Sequence, residues 1–169
     1  MSETPTSDFL AILRVLQQRQ VEFVVVGGIG AVLQGAPITT FDLVVVHSLK
    51  PGNVERLSAA LEELDAVYRA QPDRRMRPGR SHLESAGHQL LLTRYGPLDL
   101  LGEIGQSREF SYLADHCVDL DIGGCQPVRV LDLETLVQMK EETGRERDLA
   151  ALPVLRRTLA EKRKRRGAD

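Results

Sequence analysis

The spacing of apolar positions changes several times along the chain, and each change marks an element boundary. Phe9, Ile12, Leu13 and Leu16 recur at the three-to-four spacing of one helix face. Ser7 or Asp8, just ahead of them, offers a side-chain oxygen that can cap the first free N–H groups. Residues 21–26 are a nearly continuous apolar run and predict a buried strand, which Gly27-Gly28 ends with a tight exit. Residues 29–33 fit a short helix, Gly35 and Pro37 stop it, and residues 38–46 predict a second strand. Pro51-Gly52-Asn53 then opens a third helix, with Val54, Leu57, Leu61 and Leu64 inward and Glu55, Arg56, Glu62 and Glu63 outward.

The second half begins with residues 71–81, rich in Arg, Pro and Gly, which predict a mobile loop carrying Arg74, Arg75, Arg77 and Arg80. Residues 88–93 and 97–101 read as strands joined by Arg94-Tyr95-Gly96, so that Asp99 falls inside an apolar strand. A short helix is expected over 110–113, and a hairpin over 118–122 and 128–131 around Gly123-Gly124. Asp132 caps a helix with Leu133, Leu136, Val137 and Lys140 on one side, and Gly144 ends it. The last helical region, from 147 to about 165, is expected to break or restart at Pro153. Helices interleaved with strands in this way predict an α/β fold. The expected organisation is one domain over residues 1–169, with a basic tail from about 156 to 169.

Composition adds limits. Hydrophobic residues make up 42% of the 169, enough for an ordinary core, and no apolar run approaches the roughly 20 residues of a membrane span. The polar, acidic start of the chain is unlike an export signal, which predicts a cytoplasmic protein with no membrane partner. The two cysteines, Cys117 and Cys125, flank the expected hairpin and are read as reduced thiols. Residues 156–169 hold seven basic residues against Glu161 and Asp169, on a chain whose net charge is only −2. Such a segment can contact RNA or DNA phosphates, or remain a solvated helix end.

The chemistry is concentrated between residues 21 and 46 and around residue 99. Gly27 and Gly28, between a strand and a helix, leave backbone N–H groups open to a phosphate. Asp42 and Asp99 stand in apolar strands that would pack better without a charge, and Mg²⁺ is one reason for carboxylates in such places. Residues two apart on a strand share a face, so Val44 lies beside Asp42 where a further carboxylate would serve a metal. His47 should face the other way, and Glu103 lies two residues beyond Leu101.

With these parts in order, the chain resembles the nucleotidyltransferase superfamily of the DNA polymerase β type, especially small bacterial minimal nucleotidyltransferases and AbiEii-type toxins. The resemblance rests on Val24-Val25-Val26-Gly27-Gly28 through Gly35, on Thr39-Thr40-Phe41-Asp42-Leu43-Val44, and on Pro97-Leu98-Asp99-Leu100-Leu101. The run from Leu133 to Lys140, with Gly144-Arg145 and Asp148, is similar to the family's closing helices.

What the resemblance implies is transfer of a nucleoside monophosphate from a nucleoside triphosphate to an acceptor hydroxyl by two-metal Mg²⁺ chemistry. Asp42 and Asp99 would be the catalytic metal ligands. Gly27, Gly28 and Lys140 would bind the nucleotide, with an arginine of the mobile loop as an alternative to Lys140. A protein, a tRNA end or a small molecule would be the acceptor, and an antitoxin a possible partner. The family pattern has Asp-x-Asp or Asp-x-Glu where this chain has Asp42-Leu43-Val44, so the expected activity is impaired. The alternative is a catalytically inactive nucleotide- or partner-binding module.

Overall fold

The structure, a computed structural model, describes residues 7–168. Helix α1 (Phe9–Gln18) is capped by Asp8, whose carboxylate accepts from the Ala11 N–H at 3.0 Å, and it buries Ile12, Leu13, Val15 and Leu16. Then follow β1 (Phe23–Val26), α2 (Gly27–Leu33), β2 (Leu43–His47) and α3 (Pro51–Glu63). Asn53, in the first turn of α3, accepts from the Glu22 N–H at 2.7 Å and donates to the Glu22 and Ser48 carbonyls. One amide side chain thereby ties the start of α3 to the entry of β1.

The chain continues through β3 (Val67–Tyr68), a 3₁₀ turn at Pro72–Arg74, α4 (Arg80–Leu83), β4 (His88–Thr93) and β5 (Gly96–Leu101). A small ribbon follows, β6 (Glu103–Ile104) with β7 (Arg108–Glu109), then α5 (Phe110–Ala114) and the hairpin β8 (Cys117–Leu120) and β9 (Val128–Leu131). Helices α6 (Leu133–Thr143) and α7 (Glu146–Gly167) close the chain. No helix among the described residues is long and apolar enough to cross a membrane.

Seven strands form one mixed sheet in the order β3-β4-β5-β2-β1-β9-β8, with β2 parallel to β5 and β1 parallel to β9. Alternation along the central strands builds two cores. Val25, Leu43, Val45, Leu98 and Leu100 pack with α1, α3 and Leu83 on one face. Val24, Val26, Val46 and Leu101 pack on the other with Leu113 and the inner faces of α6 and α7.

Three expected elements differ in the structure. The second strand begins at Leu43 rather than at residue 38, because Val44 pairs with Val26, the last residue of β1. Beyond Val26 the neighbouring chain has already turned into α2, so residues 38–42 have no β1 edge to bond. Helix α7 runs unbroken through Pro153. Leu152, Leu155 and Thr158 are buried around the exposed proline, and packing outweighs the one missing backbone donor. The basic segment from residue 156 lies on this helix, as far as Gly167. Arg156 pairs with Glu141, Arg163 with Glu134, and Lys162 donates to Gln34 at 3.1 Å.

Residues 71–81 hold a 3₁₀ turn and the start of α4 instead of an open loop. Arg75 and Arg77 both bind Asp65, and Arg80 binds Glu84 at 2.7 Å. Cys117 and Cys125 are unbonded thiols that pack against opposite cores. Burial pushes the Cys117 thiol up to about 11, and its S–H donates to the Leu113 carbonyl.

Candidate functional site

The turn from β1 into α2 needs both of its glycines, for different reasons. Gly27 has φ +73°, a backbone state that costs an ordinary residue, and it sits against Val44. Gly28 is held by space: a Cβ there would lie 2.7 Å from Oγ1 and 2.8 Å from Cβ of Thr40. Thr40 thus presses the chain leading into β2 against the glycine turn. Asp42, next to the start of β2, is half-exposed, and Phe41 beside it is 76% exposed.

Asp99 comes from the middle of β5, where it is the direct parallel partner of Val44. Paired positions on adjacent strands share a face, so Asp99 projects on the same side as Val44. The two carboxylates meet through Arg69, which follows β3. Its Nη2 donates to Oδ1 of Asp99 at 3.0 Å, and its Nη1 lies 3.6 Å from Oδ1 of Asp42. The Arg69 N–H donates to the Leu90 carbonyl, and Leu90 is the β4 partner of Asp99, which places the arginine one strand away from its carboxylate. Burial raises the Asp99 carboxyl above its usual range; Arg69 opposes that shift and the charge of Asp42 adds to it.

Gly27, Gly28, Asp42 and Val44 line one wall of a cavity of about 520 Å³, and α6 and α7 supply the other through Leu136, Lys140, Arg145, Arg147, Asp148 and Leu155. The cavity is lined by three cations and two carboxylates. Lys140 is not free: its Nζ lies 3.0 Å from Asp148, which also accepts from Thr143 at 2.8 Å. Burial pushes the Asp148 carboxyl up, but these two bonds and the charges of Lys140 and Arg145 outweigh it and hold the carboxyl below its usual range. Asp99 lies beside this cavity without lining it.

The donor set does not fit a two-ion magnesium centre. Both carboxylates share a guanidinium, position 44 is apolar, and no group of three or more His, Cys, Asp or Glu among the described residues is arranged to hold a metal. His47 is buried on the opposite face of β2, with Nε2 donating to the Leu83 carbonyl at 2.8 Å, and Glu103 pairs with Glu109 in the small ribbon. The loop arginines Arg75, Arg77 and Arg80 are engaged elsewhere, so the arginine at the carboxylates is one that the spacing of the sequence did not single out. Its only signal was an isolated cation after a two-residue apolar strand.

The fold is similar over nearly its whole length to those of solved nucleotidyltransferases. TM1012 of Thermotoga maritima, whose assignment as a nucleotidyltransferase is itself provisional, is 18% identical with a TM-score of 0.53, covering 90% of this chain and 93% of its own. ANT(2")-Ia, solved with adenylyl-2"-tobramycin, is 16% identical with a TM-score of 0.58, over 91% and 89%. The lincosamide antibiotic adenylyltransferase LnuA, solved with lincomycin, is 13% identical with a TM-score of 0.58, over 90% and 98%. No family model and no curated protein matches the sequence. At these identities the likeness is one of fold.

Proposed function

We propose that the protein binds a nucleoside triphosphate in the cleft between the Gly27-Gly28 turn and helices α6 and α7, the place a nucleotidyltransferase fold provides for its donor. The observation that supports this most is the cavity itself. It brings the glycine turn and Asp42 opposite Lys140, Arg145 and Arg147, a set of cations suited to a polyphosphate. The phosphates would lie against Arg145, Arg147 and the turn, with Lys140 joining them as it leaves Asp148. Leu136, Ala151 and Leu155 give the base an apolar wall.

Nucleotidyl transfer to an acceptor hydroxyl is the parent chemistry of this reading, and at the present site it is slow or absent. Val44 offers no ligand or hydrogen bond beside Asp42, and Arg69 takes up the two carboxylates that remain. A binding module that keeps the donor cleft without the transfer step is accordingly the favoured form. Should transfer occur, a small-molecule hydroxyl is the acceptor the fold's neighbours favour, since ANT(2")-Ia and LnuA were solved with antibiotic ligands. A protein or tRNA acceptor and an antitoxin partner rest on the sequence resemblance alone.

Calorimetry with ATP, CTP, GTP and UTP, each with and without Mg²⁺, tests the binding. Saturable binding of at least one triphosphate, weakened by Arg147→Glu, supports the reading. Absence of binding to all four overturns it.

A further inference from the structure

The carboxylate pair already has a cation. A guanidinium is a rigid planar fork, always charged at neutral pH, and the Arg69 fork spans the two acids: Nη2 on Asp99 at 3.0 Å and Nη1 facing Asp42 at 3.6 Å. Both contacts are made to the Oδ1 atoms. The Asp99 side chain is only 13% exposed, a position in which an unpaired carboxylate would be costly, and Arg69 is the positive group in contact with it. Its placement is built into the sheet, because the Arg69 N–H bonds the Leu90 carbonyl and Leu90 stands directly across from Asp99. Val44, the remaining position on this face, contributes no oxygen.

A divalent ion held through the Oδ1 atoms that face Arg69 would need them at roughly 2.0–2.1 Å for Mg²⁺, a distance at which the guanidinium must give those same atoms up. We propose that Arg69 is the resident cation of this site and that its guanidinium and a divalent metal ion occupy the Asp42–Asp99 pair in mutual exclusion. The chain has exchanged a borrowed ion for one of its own side chains. Position 44 holds a valine, which offers a metal no ligand with which to compete. This assignment concerns the carboxylate pair alone and holds whether or not a nucleotide enters the neighbouring cleft.

Manganese binding, read from the loss of the free Mn²⁺ electron-paramagnetic-resonance signal, tests it without any activity. The full chain should show no saturable site up to about 1 mM Mn²⁺, a range in which weak carboxylate sites fill. Arg69→Gln should gain one site at least about tenfold tighter, which corresponds to removal of a strong competing ion pair. Arg69→Gln with Asp99→Asn should lose it again. Equal Mn²⁺ affinity in the full chain and in folded Arg69→Gln, tight or undetectable, overturns the proposal. If Arg69→Gln does not fold, Arg69→Lys replaces it: a single ammonium cannot span both acids as a fork does, so affinity should rise by about threefold or more. Unchanged affinity in that variant is the contrary result.

Discussion

Val44 and Asp99 are direct partners across the parallel β2–β5 pair, and only one of them is charged. Like charges placed directly opposite on a sheet repel, so the valine spares Asp99 a second neighbouring carboxylate besides Asp42. Val44→Asp should therefore lower stability at neutral pH by about 1–2 kcal/mol. The loss should shrink as the pH falls into the carboxyl range, where one member of the cluster takes up a proton. Urea denaturation of both chains at pH 7 and pH 4 checks this, and a variant as stable as the parent at pH 7 would show that position 44 lies apart from Asp99.

The contact between Gly28 and Thr40 gives a second prediction. A methyl group on Gly28 would need the space filled by Oγ1 and Cβ of Thr40, so Gly28→Ala should cost about 1–3 kcal/mol through overpacking. Thr40→Gly should recover part of that loss, measured as non-additivity in a double-mutant cycle. Simple additivity would show that the two positions do not touch.

His47 makes stability depend on pH. Burial pushes its imidazole below the usual 6.5, and the bond to the Leu83 carbonyl offsets this only in part. Since Nε2 carries the proton given to Leu83, a charging proton would go to Nδ1, which is buried with no hydrogen-bond partner. The unfolded chain binds that proton near pH 6.5 and the folded chain only at lower pH. Stability should thus fall as the pH drops from 6.5 towards the depressed value and level off below it. Thermal melts from pH 7.5 to 5 should show this slope, and His47→Gln should flatten it.

Asp148 restrains Lys140. Asp148→Asn removes one negative charge from the cleft and weakens the hold on Lys140, so triphosphate affinity should rise by about threefold to tenfold, the equivalent of one modest ion pair. The same change should remove an acid-labile contribution to stability. The Asp148 carboxyl is held below its usual range, so its pairing stabilises the fold above the unfolded-state value and is lost as the pH falls through the folded one. Calorimetry and acid titration read the two effects separately.

Much of this architecture was visible in residue spacing, because the central strands and helices are set by burial on both faces of one sheet. Asp99 inside 97–101, the turn at Gly27-Gly28 and the cap at Asp132 follow from local pattern, and the structure places them accordingly. The errors have a common origin in distant partners. Residues 38–42 carry strand-forming side chains but no strand lies beside them, and Pro153 is tolerated because α7 packs on α6. Arg69 joins Asp42 and Asp99 only because β3 is laid down beside β4, a pairing that a two-residue strand does not announce. The loop arginines looked more suitable, yet Asp65 and Glu84 already hold three of them.

The most direct test of the cleft assignment is titration with ATP, CTP, GTP and UTP in turn, followed by amide chemical shifts in ¹⁵N-labelled protein. Saturable changes with at least one triphosphate are expected to centre on Gly27, Gly28, Val44, Lys140 and Asp148, the two walls of one cavity. Changes confined to Lys162–Arg166 at the end of α7, or none at all with any of the four triphosphates, would contradict it.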